Sequence, residues 1–300
     1  MNTKVNLAGV TLKNPVMTAS GTFGSGAEYA EFVDLNQLGA VVTKGVASVP
    51  WEGNSTPRVA ETYGGMLNAV GLQNPGIDLF VERDVPFLAK YDTRIVVNVC
   101  GRTKEDYCEV VSRLFGQPVD LLEINISCPN VKEGGIAFGQ NPKSVEEITK
   151  EVKKCASQPI IMKLSPNVTD ISEMARAAEA GGADAVSLIN TLTGMKIDIH
   201  KRAFALANKT GGLSGPAIHP IAVRMVYEAA HAVKIPVVGM GGIASAEDAI
   251  EMILAGATAI SVGTANFYNP TVTMEIVSGI REYMEQYGVE DIQELVGAVG

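Results

Sequence analysis

The chain has 300 residues, of which 46% are hydrophobic and 19% are charged, and its net charge is −9. A chain of this length buries roughly 75% of the surface that its unfolded form exposes, so its core needs neither a metal nor disulfides. The negative charge argues against a general affinity for nucleic acid or anionic membranes, and no apolar run approaches the ~18 residues of a membrane span.

The chain begins with MNTKVNLAGV, which lacks the continuous apolar segment of a signal peptide, so we expect a cytoplasmic protein. Short apolar runs with high β-propensity then alternate with longer segments of helical period. The predicted strands are Val16–Thr18, Ala40–Thr43, Ile95–Val99, Leu121–Asn125, Ile160–Lys163, Ala185–Ile189, Val237–Gly239 and Ala259–Val262.

Amphipathic helices are predicted between most of these strands. The segment Pro142–Ala156 has an apolar stripe at Val145, Ile148 and Val152, and ISEMARAAEAGGA ends in the Gly-Gly pair typical of a helix C-terminus. Apolar strands separated by helices are typical of parallel strands buried on both faces. Eight of them predict an α/β fold, a (β/α)8 TIM barrel, and no Gly- or Ser-rich linker divides residues 1–300 into two domains. A doubly wound open sheet is the alternative.

Long connections follow the second, fourth and sixth predicted strands. Residues 45–93 separate strands two and three, and residues 191–215 follow strand six. They leave the carboxyl ends of their strands, where barrel enzymes build their active sites. We therefore expect these loops to contribute to a functional site.

The residues just after the predicted strands should meet at one mouth of the barrel. They are small or carry amides, and they include two lysines. In a chain this acidic, two converging lysines favour a functional role over solvated side chains. In chain order these residues are Ala19, Ser20, Gly21, Lys44, Gly45, Asn98, Asn125, Lys163, Asn190, Thr191, Gly241, Gly242, Gly263 and Thr264.

The last two predicted strands run into the glycine-rich stretches GMGGIAS and VGTANF. Loops after strands seven and eight of a barrel commonly hold a phosphate on backbone N–H groups, and glycine permits its close approach. Tight turns alone would explain either stretch, but the two together favour a phosphate site. No strand–GxGxxG–helix unit with a suitably spaced acidic residue is present, which argues against a dinucleotide fold.

Asparagines form a second cluster at the predicted mouth. An amide presents an acceptor beside a donor, which matches the alternating polar edge of a pyrimidinedione or an isoalloxazine ring. Asparagine is also common in turns that bind nothing. The residues concerned are Asn68, Asn98, Asn125, Asn130 and Asn190.

One cysteine has an unusual position in LLEINISCPN. Cys128 lies three residues beyond Asn125, Pro129 halts the strand, and Gly134-Gly135 would let the following loop move as a lid. A cysteine is usually a small buried hydrophobic residue. On a polar loop over the site, however, it suits a general base that approaches the substrate when the lid closes.

The remaining cysteines and the histidines are assigned no function. The absence of a CxxC pair argues against a metal site, an iron–sulfur cluster and a secreted disulfide framework, so the other cysteines are interpreted as structural. The histidines are expected in loops or on helix surfaces. These residues are Cys100, Cys108, Cys155, His200, His219 and His231.

Taken together, these motifs resemble those of the class 1 dihydroorotate dehydrogenases along essentially the whole chain. The tail VKEGGIAFG after Cys128 is closer to the NAD-linked subtype (1B) than to the fumarate-using one (1A). Gly45, and Thr191 where relatives have serine, are minor variations. The stretches that carry the resemblance are NPVMTASGTFG, TKG, TPRVAETYGGMLNAVGLQNPG, INISCPNVKEGGIAFG, MKLSPNV, INTLTGM, GGLSGPAI, GMGGI and SVGTANF.

The resemblance implies an FMN-dependent barrel that oxidises (S)-dihydroorotate to orotate in pyrimidine biosynthesis. One FMN per chain would place its phosphate on the loops Gly241-Gly242 and Gly263-Thr264. Lys163 would stabilise negative charge on the reduced flavin. The other implied FMN-binding residues are Ser20, Gly21, Lys44, Gly45, Asn98, Asn125, Ile189 and Gly215.

The resemblance also implies how the substrate binds. Lys44 would neutralise the substrate carboxylate, and Cys128 would remove the C5 proton while the C6 hydride passes to the flavin. Because a thiol is a weak base at pH 7, its surroundings or the pH must supply the thiolate. The other implied substrate-binding residues are Asn68, Ala69, Val70, Gly71, Leu72, Asn125, Asn190, Thr191 and Asn130. Of these, Asn130 would close over the bound substrate.

A partner subunit follows from the NAD-linked resemblance. Electrons must pass from FMN to NAD, yet this chain has neither a dinucleotide fingerprint nor cysteines spaced for a cluster. A second subunit with FAD and an iron–sulfur cluster is therefore implied, in a heterotetramer around a homodimer of this chain. The alternatives are the fumarate-linked form of the same activity, a flavin-free lyase or isomerase acting on a sugar phosphate, and a pyrimidine-binding regulator.

Overall fold

The computed structural model describes residues 1–128 and 136–299. The strands are, in chain order, β1 (Val5–Leu7), β2 (Val10–Leu12), β3 (Val16–Thr18), β4 (Ala40–Val42), β5 (Val59–Thr62), β6 (Gly65–Asn68), β7 (Arg94–Val99), β8 (Leu121–Asn125), β9 (Ile160–Lys163), β10 (Ala185–Leu188), β11 (Leu192–Met195), β12 (Ile197–Asp198), β13 (Ala203–Phe204), β14 (Thr210–Ser214), β15 (Val237–Met240) and β16 (Ala259–Val262). The helices are α1 (Ile77–Leu79), α2 (Val85–Leu88), α3 (Lys104–Arg113), α4 (Ile136–Gly139), α5 (Pro142–Cys155), α6 (Ile171–Ala180), α7 (His219–Ala232), α8 (Ala246–Leu254), α9 (Ala265–Tyr268) and α10 (Val272–Tyr287).

Eight strands close a parallel barrel, which confirms the predicted α/β barrel. The strand order around the barrel is β3-β4-β7-β8-β9-β10-β15-β16, and β16 pairs with β3 to close it. Every residue of these strands is buried except Arg94 at the start of β7. Strands covered on both faces must be apolar throughout. This is why the apolar runs of the sequence predict all eight strands to within about one residue at each end.

The helices pack around the barrel with their predicted apolar stripes inward. In α5 the side chains of Val145, Ile148 and Val152 are fully buried. Asn141 caps this helix, because its side chain accepts a hydrogen bond from the N–H of Ser144 at 3.1 Å. No helix within residues 1–128 and 136–299 is long and apolar enough to cross a membrane.

The two longest connections pair with each other. Strands β5 and β6 from residues 45–93 and strands β11 and β14 from residues 191–215 form an antiparallel sheet in the order β11-β14-β6-β5, here called the mouth sheet. At its centre, Gly212 lies opposite Asn68 and Leu213 opposite Leu67. These two connections, both predicted to be functional, are therefore ordered against one another.

A disulfide joins two of the outer helices. Cys108 in α3 and Cys155 in α5 are bonded, with their Cα atoms 5.7 Å apart. A sequence separation of 47 hides this proximity, because it arises only when α3 and α5 pack side by side around the barrel. The prediction from the sequence argues against a disulfide framework and interprets both residues only as structural cysteines, so it misses this bond.

Candidate active site

A cavity of about 370 Å³ lies at the carboxyl ends of the barrel strands, beside the mouth sheet. Small-molecule sites commonly have volumes of roughly 300 to 1,000 Å³. Among the lining residues in the described part of the chain, Lys44 and Lys163 are charged and none is acidic. The cavity thus suits an anionic ligand, although the chain as a whole has a charge of −9.

Most of the predicted site residues line this cavity. Asn98 and Ala69 are fully buried and lie outside its lining, and Asn130 falls outside the described residues. The predicted residues that line the cavity are Ser20, Gly21, Lys44, Gly45, Asn68, Val70, Gly71, Leu72, Asn125, Cys128, Lys163, Ile189, Asn190, Thr191, Gly215, Gly241, Gly242, Gly263 and Thr264.

Lys163, at the end of β9, belongs to a buried polar network in the floor of the cavity. Its ammonium group lies 3.6 Å from the carboxylate of Glu123 and donates a hydrogen bond to Ser20 Oγ at 3.1 Å. The same carboxylate accepts hydrogen bonds from Asn98 Nδ2 at 2.6 Å and from Ser187 Oγ at 2.8 Å. Buried opposite charges are tolerated when their remaining hydrogen-bonding groups are satisfied, as they are for this carboxylate.

Lys44, two residues beyond β4, has a different environment. Its ammonium group forms no hydrogen bond or ion pair with any residue that the structure describes. Burial lowers the pKa of Lys44 below its ordinary value, and the charges of Arg58 and Lys163 lower it further, against the opposing influence of the thiols of Cys100 and Cys128. An anionic ligand would supply the counter-charge that this lysine lacks.

A chain of side-chain hydrogen bonds fixes the amides of the floor. Asn190 Nδ2 donates to Ser127 Oγ at 2.8 Å, and Ser127 Oγ donates to Asn125 Oδ1 at 3.1 Å. Asn125 Nδ2 in turn donates to Asn98 Oδ1 at 3.3 Å. Asn98 therefore supports Asn125 from behind the cavity wall. Asn125 and Asn190, the two amides of this chain of hydrogen bonds that line the cavity, are held in defined orientations.

The glycine-rich loops present open backbone donors to the cavity. The N–H groups of Gly242, Ile243 and Thr264 donate no hydrogen bond to a group within the described residues. Gly242 has a φ of +70°, and a Cβ atom at this position would lie 2.7 Å from the Cβ of His219. Glycine is thus required here by both conformation and space. Several open N–H groups around one concavity are suited to binding a phosphate.

His219 supports the loop after β15, in contrast to the surface position expected from the sequence. The residue is only 8% exposed. Its Nδ1 lies 2.8 Å from the carbonyl oxygen of Gly241, and its Nε2 lies 3.1 Å from the carboxylate of Glu251. His219 begins α7, and the start of this helix packs beneath the loop, which is why the ring is buried.

Cys128 lines the cavity but is more buried than a residue of a polar loop would be. It is 6% exposed and lies three residues beyond β8. Its thiol is close enough to Lys44 to influence the pKa of that lysine. The predicted lid with Gly134-Gly135 falls outside the described residues.

The sequence did not point to Glu123, Ser127 or Ser187, which hold the site residues from behind. Glu123 could have been recognised from the sequence, since it is a charged residue in the middle of the buried apolar strand Leu121–Asn125. A charge is rarely retained in such a strand without a partner. The two serines carried no comparable signal, because serine is common in many structural contexts.

A family profile, curated relatives and a solved structure all relate this chain to the dihydroorotate dehydrogenases. A family profile described as dihydroorotate dehydrogenase matches residues 2–284. The catalytic subunit of dihydroorotate dehydrogenase B (NAD(+)) from Lachnoclostridium phytofermentans is 69% identical over 299 residues, covering 100% of both chains. The protein of the same name from Alkaliphilus metalliredigens is 66% identical over 299 residues, covering 100% of this chain and 99% of the relative. The crystal structure of an Eimeria tenella DHODH in complex with ferulenol shares the fold, with a TM-score of 0.84 and 23% identity, over 99% of this chain and 88% of that chain.

Proposed function

Because this chain belongs to the dihydroorotate dehydrogenase family, we propose that it binds FMN in the cavity and oxidises dihydroorotate to orotate, with NAD as the final electron acceptor. The observation that supports this function best is one cavity with two different anion-binding features. Lys44 is a cation without a partner in the described residues, and the glycine-rich loops offer open backbone donors. A carboxylate substrate and a phosphate-bearing cofactor would occupy them separately.

The residues of the cavity fit FMN. The open N–H groups of Gly242, Ile243 and Thr264 suit its phosphate. Lys163 suits a ring system that gains negative charge on reduction, and the fixed amide of Asn125 suits the polar edge of that ring. When bound, FMN supplies a hydride acceptor, a function for which enzymes rely on cofactors.

The opposite side of the cavity fits dihydroorotate. Lys44 would neutralise its carboxylate, while Asn68 and Asn190 would hydrogen-bond the polar edge of its ring. Ser127 already fixes the orientation of the Asn190 amide, so less side-chain freedom is lost when the substrate binds. Cys128 would accept the C5 proton, and Asn130 would close over the bound substrate.

The electron acceptor requires a second subunit. The relatives named above are catalytic subunits of NAD-linked enzymes, and a catalytic subunit works with a partner. The present chain is proposed to act as a single FMN-binding domain over residues 1–300. Its partner would carry FAD and an iron–sulfur cluster and would bind a homodimer of this chain to form a heterotetramer.

The proposed reaction is tested by anaerobic reduction of the purified chain. The protein should contain about one FMN per chain, and dihydroorotate should bleach the flavin absorbance while one orotate forms per flavin. Dihydrouracil is the matched control, because it lacks the carboxylate that Lys44 would bind, and it should reduce the flavin far more slowly. A protein that binds no FMN, or one whose flavin stays oxidised with dihydroorotate, would contradict the proposal.

The partner is tested by assaying the acceptor. The isolated chain should reduce NAD poorly, and addition of the proposed FAD and iron–sulfur subunit should restore NAD reduction. Efficient NAD reduction by the isolated chain would refute the second subunit, and rapid reduction of fumarate would favour the fumarate-linked subtype.

A further inference from the structure

Glu123 lies beneath the cavity and does not line it. We propose that Glu123 is a positioning residue that holds Lys163 as a cation against the cavity floor and thereby sets the reduction potential of the bound flavin. This inference rests on the proposed function, since it assumes that the cavity holds FMN.

The barrel topology places Glu123 at the centre of the floor. In the strand register it lies opposite Asn98 of β7, while Asn125, two residues further along β8, lies opposite Lys163 of β9. Its carboxylate also contacts Ser187 of β10, a strand that does not neighbour β8. A side chain that reaches β7, β9 and β10 together must point into the interior of the barrel.

The contacts of Glu123 suit an anion. Its Oε2 accepts a hydrogen bond from Asn98 and lies near the Lys163 ammonium, and its Oε1 accepts a hydrogen bond from Ser187. An ionised carboxylate can only accept hydrogen bonds, and these neighbours all donate. Glu123 and Lys163 are 2% and 4% exposed, so water cannot solvate either charge well. Each charge therefore depends on the other.

Lys163 transmits the effect of Glu123 to the cavity. Its ammonium group also donates to Ser20, a residue of the cavity lining, so it lies between the carboxylate below and the ligand space above. Lys44 shows what happens to a lysine of the same cavity that has no carboxylate beside it, because burial lowers its pKa. Lys163 has such a carboxylate 3.6 Å away, and Glu123 thereby keeps its ammonium group in place where the reduced flavin gains negative charge.

The decisive experiment compares Glu123→Gln with the wild type as FMN-loaded proteins. The glutamine keeps the shape and removes the charge. We expect the midpoint potential of the flavin to fall. Its reduction by dihydroorotate should slow by about 10- to 100-fold, the size of loss known for residues that orient metal ligands from behind. The dissociation constant of orotate, followed by the change in flavin absorbance, should stay within about twofold, because Lys44 is untouched.

A double-mutant cycle with Lys163→Met tests whether Glu123 acts through the lysine. The Glu123→Gln/Lys163→Met protein should have the same midpoint potential as Lys163→Met alone, because no cation remains for the carboxylate to hold. Ser187→Ala is the matched control. It removes one hydrogen bond that an uncharged hydroxyl donates to the same carboxylate, and it removes no charge, so it should shift the potential much less than Glu123→Gln does.

If Glu123→Gln does not fold, Glu123→Asp decides the question. Aspartate keeps the negative charge, but its side chain is one methylene shorter, so the carboxylate lies farther from Lys163. We expect a potential below that of the wild type and a slower reduction. An unchanged potential in a folded variant would overturn the inference. A raised potential would also overturn it, because it would show that the carboxylate only weakens the effect of the lysine charge on the flavin. These outcomes leave the proposed function intact, whereas a wild-type protein without FMN would overturn both.

Discussion

Lys163 and Lys44 line the same cavity, yet their surroundings differ. Lys163 has a buried carboxylate 3.6 Å away and a serine hydroxyl as a hydrogen-bond acceptor. Lys44 has neither within the described residues, and burial lowers its pKa. The charge of Lys163 is thus balanced by the protein itself, whereas the charge of Lys44 would be balanced by a bound anion. The proposed function, with a bound cofactor and an exchanging substrate, would use both arrangements.

The largest expected effect is that of Cys128→Ala on the rate of flavin reduction. This variant should impair the proton transfer proposed near Lys44 and leave the FMN binding proposed near Lys163 intact. Replacement of Cys128 by alanine removes the proposed base and should slow flavin reduction by dihydroorotate by roughly 10²- to 10⁴-fold, the usual contribution of a positioned base. FMN content and flavin potential should stay unchanged. Anaerobic stopped-flow measurement of flavin absorbance gives the rate.

Cys100→Ala is the matched control for that experiment. Cys100 is also a buried thiol near Lys44, but it packs with Ala47 and Trp51 and does not line the cavity. Its replacement should leave the rate within a few-fold of the wild type. If Cys128→Ala reduces its flavin as fast as Cys100→Ala does, the base is another residue.

A second prediction compares the free energies of unfolding of the Lys163→Met and Lys44→Met proteins. Lys163→Met leaves the Glu123 carboxylate buried without a cation, so the FMN-free protein should lose about 3 to 5 kcal/mol of unfolding free energy. Lys44→Met removes a partly buried cation that has no partner among the described residues, so stability should be equal or slightly higher. Urea unfolding curves of the three proteins measure the difference. Equal losses in both variants would show that the two environments do not differ as described.

Lys44→Met should mainly weaken substrate binding. Loss of a charged hydrogen-bonding partner for the carboxylate should raise the KM for dihydroorotate by about 10- to 100-fold. The flavin potential should change less than in Lys163→Met, because the Lys163 network is intact. Dihydrouracil, which has no carboxylate, should react equally slowly with both proteins. A selective loss of reactivity toward dihydrouracil would place Lys44 in another role.

The parts of this site that follow from barrel topology could be predicted from the sequence. Lys44, Asn125 and Lys163 lie at strand ends, and continuous apolar runs mark those strands because both of their faces are buried. The mouth sheet could not be predicted, since β6 and β14 pair residues such as Asn68 and Gly212 that are far apart in sequence and lack an alternating apolar pattern. The partners of Glu123 were equally hidden, because their contacts depend on side chains meeting across the barrel interior.

The smallest expected effect is a pH dependence of orotate affinity that arises from the ionisation of Lys44. Because burial lowers the pKa of Lys44, its ammonium group loses its proton at a lower pH than an exposed lysine does. Orotate binding should favour the charged form, so affinity should be constant below this pKa and fall as the pH rises through it, by at most about tenfold per pH unit for one proton. Burial raises the pKa of the Cys100 thiol, so this neighbour stays uncharged over the same range and does not restore the attraction.

Orotate titrations of the FMN-loaded protein, followed by flavin absorbance from about pH 7 to about pH 10, measure this dependence. Any ionisation of orotate itself affects the wild type and Lys44→Met equally, so the difference between the two proteins isolates the lysine. We expect the wild type to bind orotate more tightly at the low end, with the advantage shrinking as the pH rises toward the ordinary range of lysine. The Lys163 network should contribute nothing to this difference, since both proteins retain it. A constant advantage across the whole range would mean that Lys44 keeps its proton without a ligand, and that the two lysines do not differ in the way their surroundings indicate.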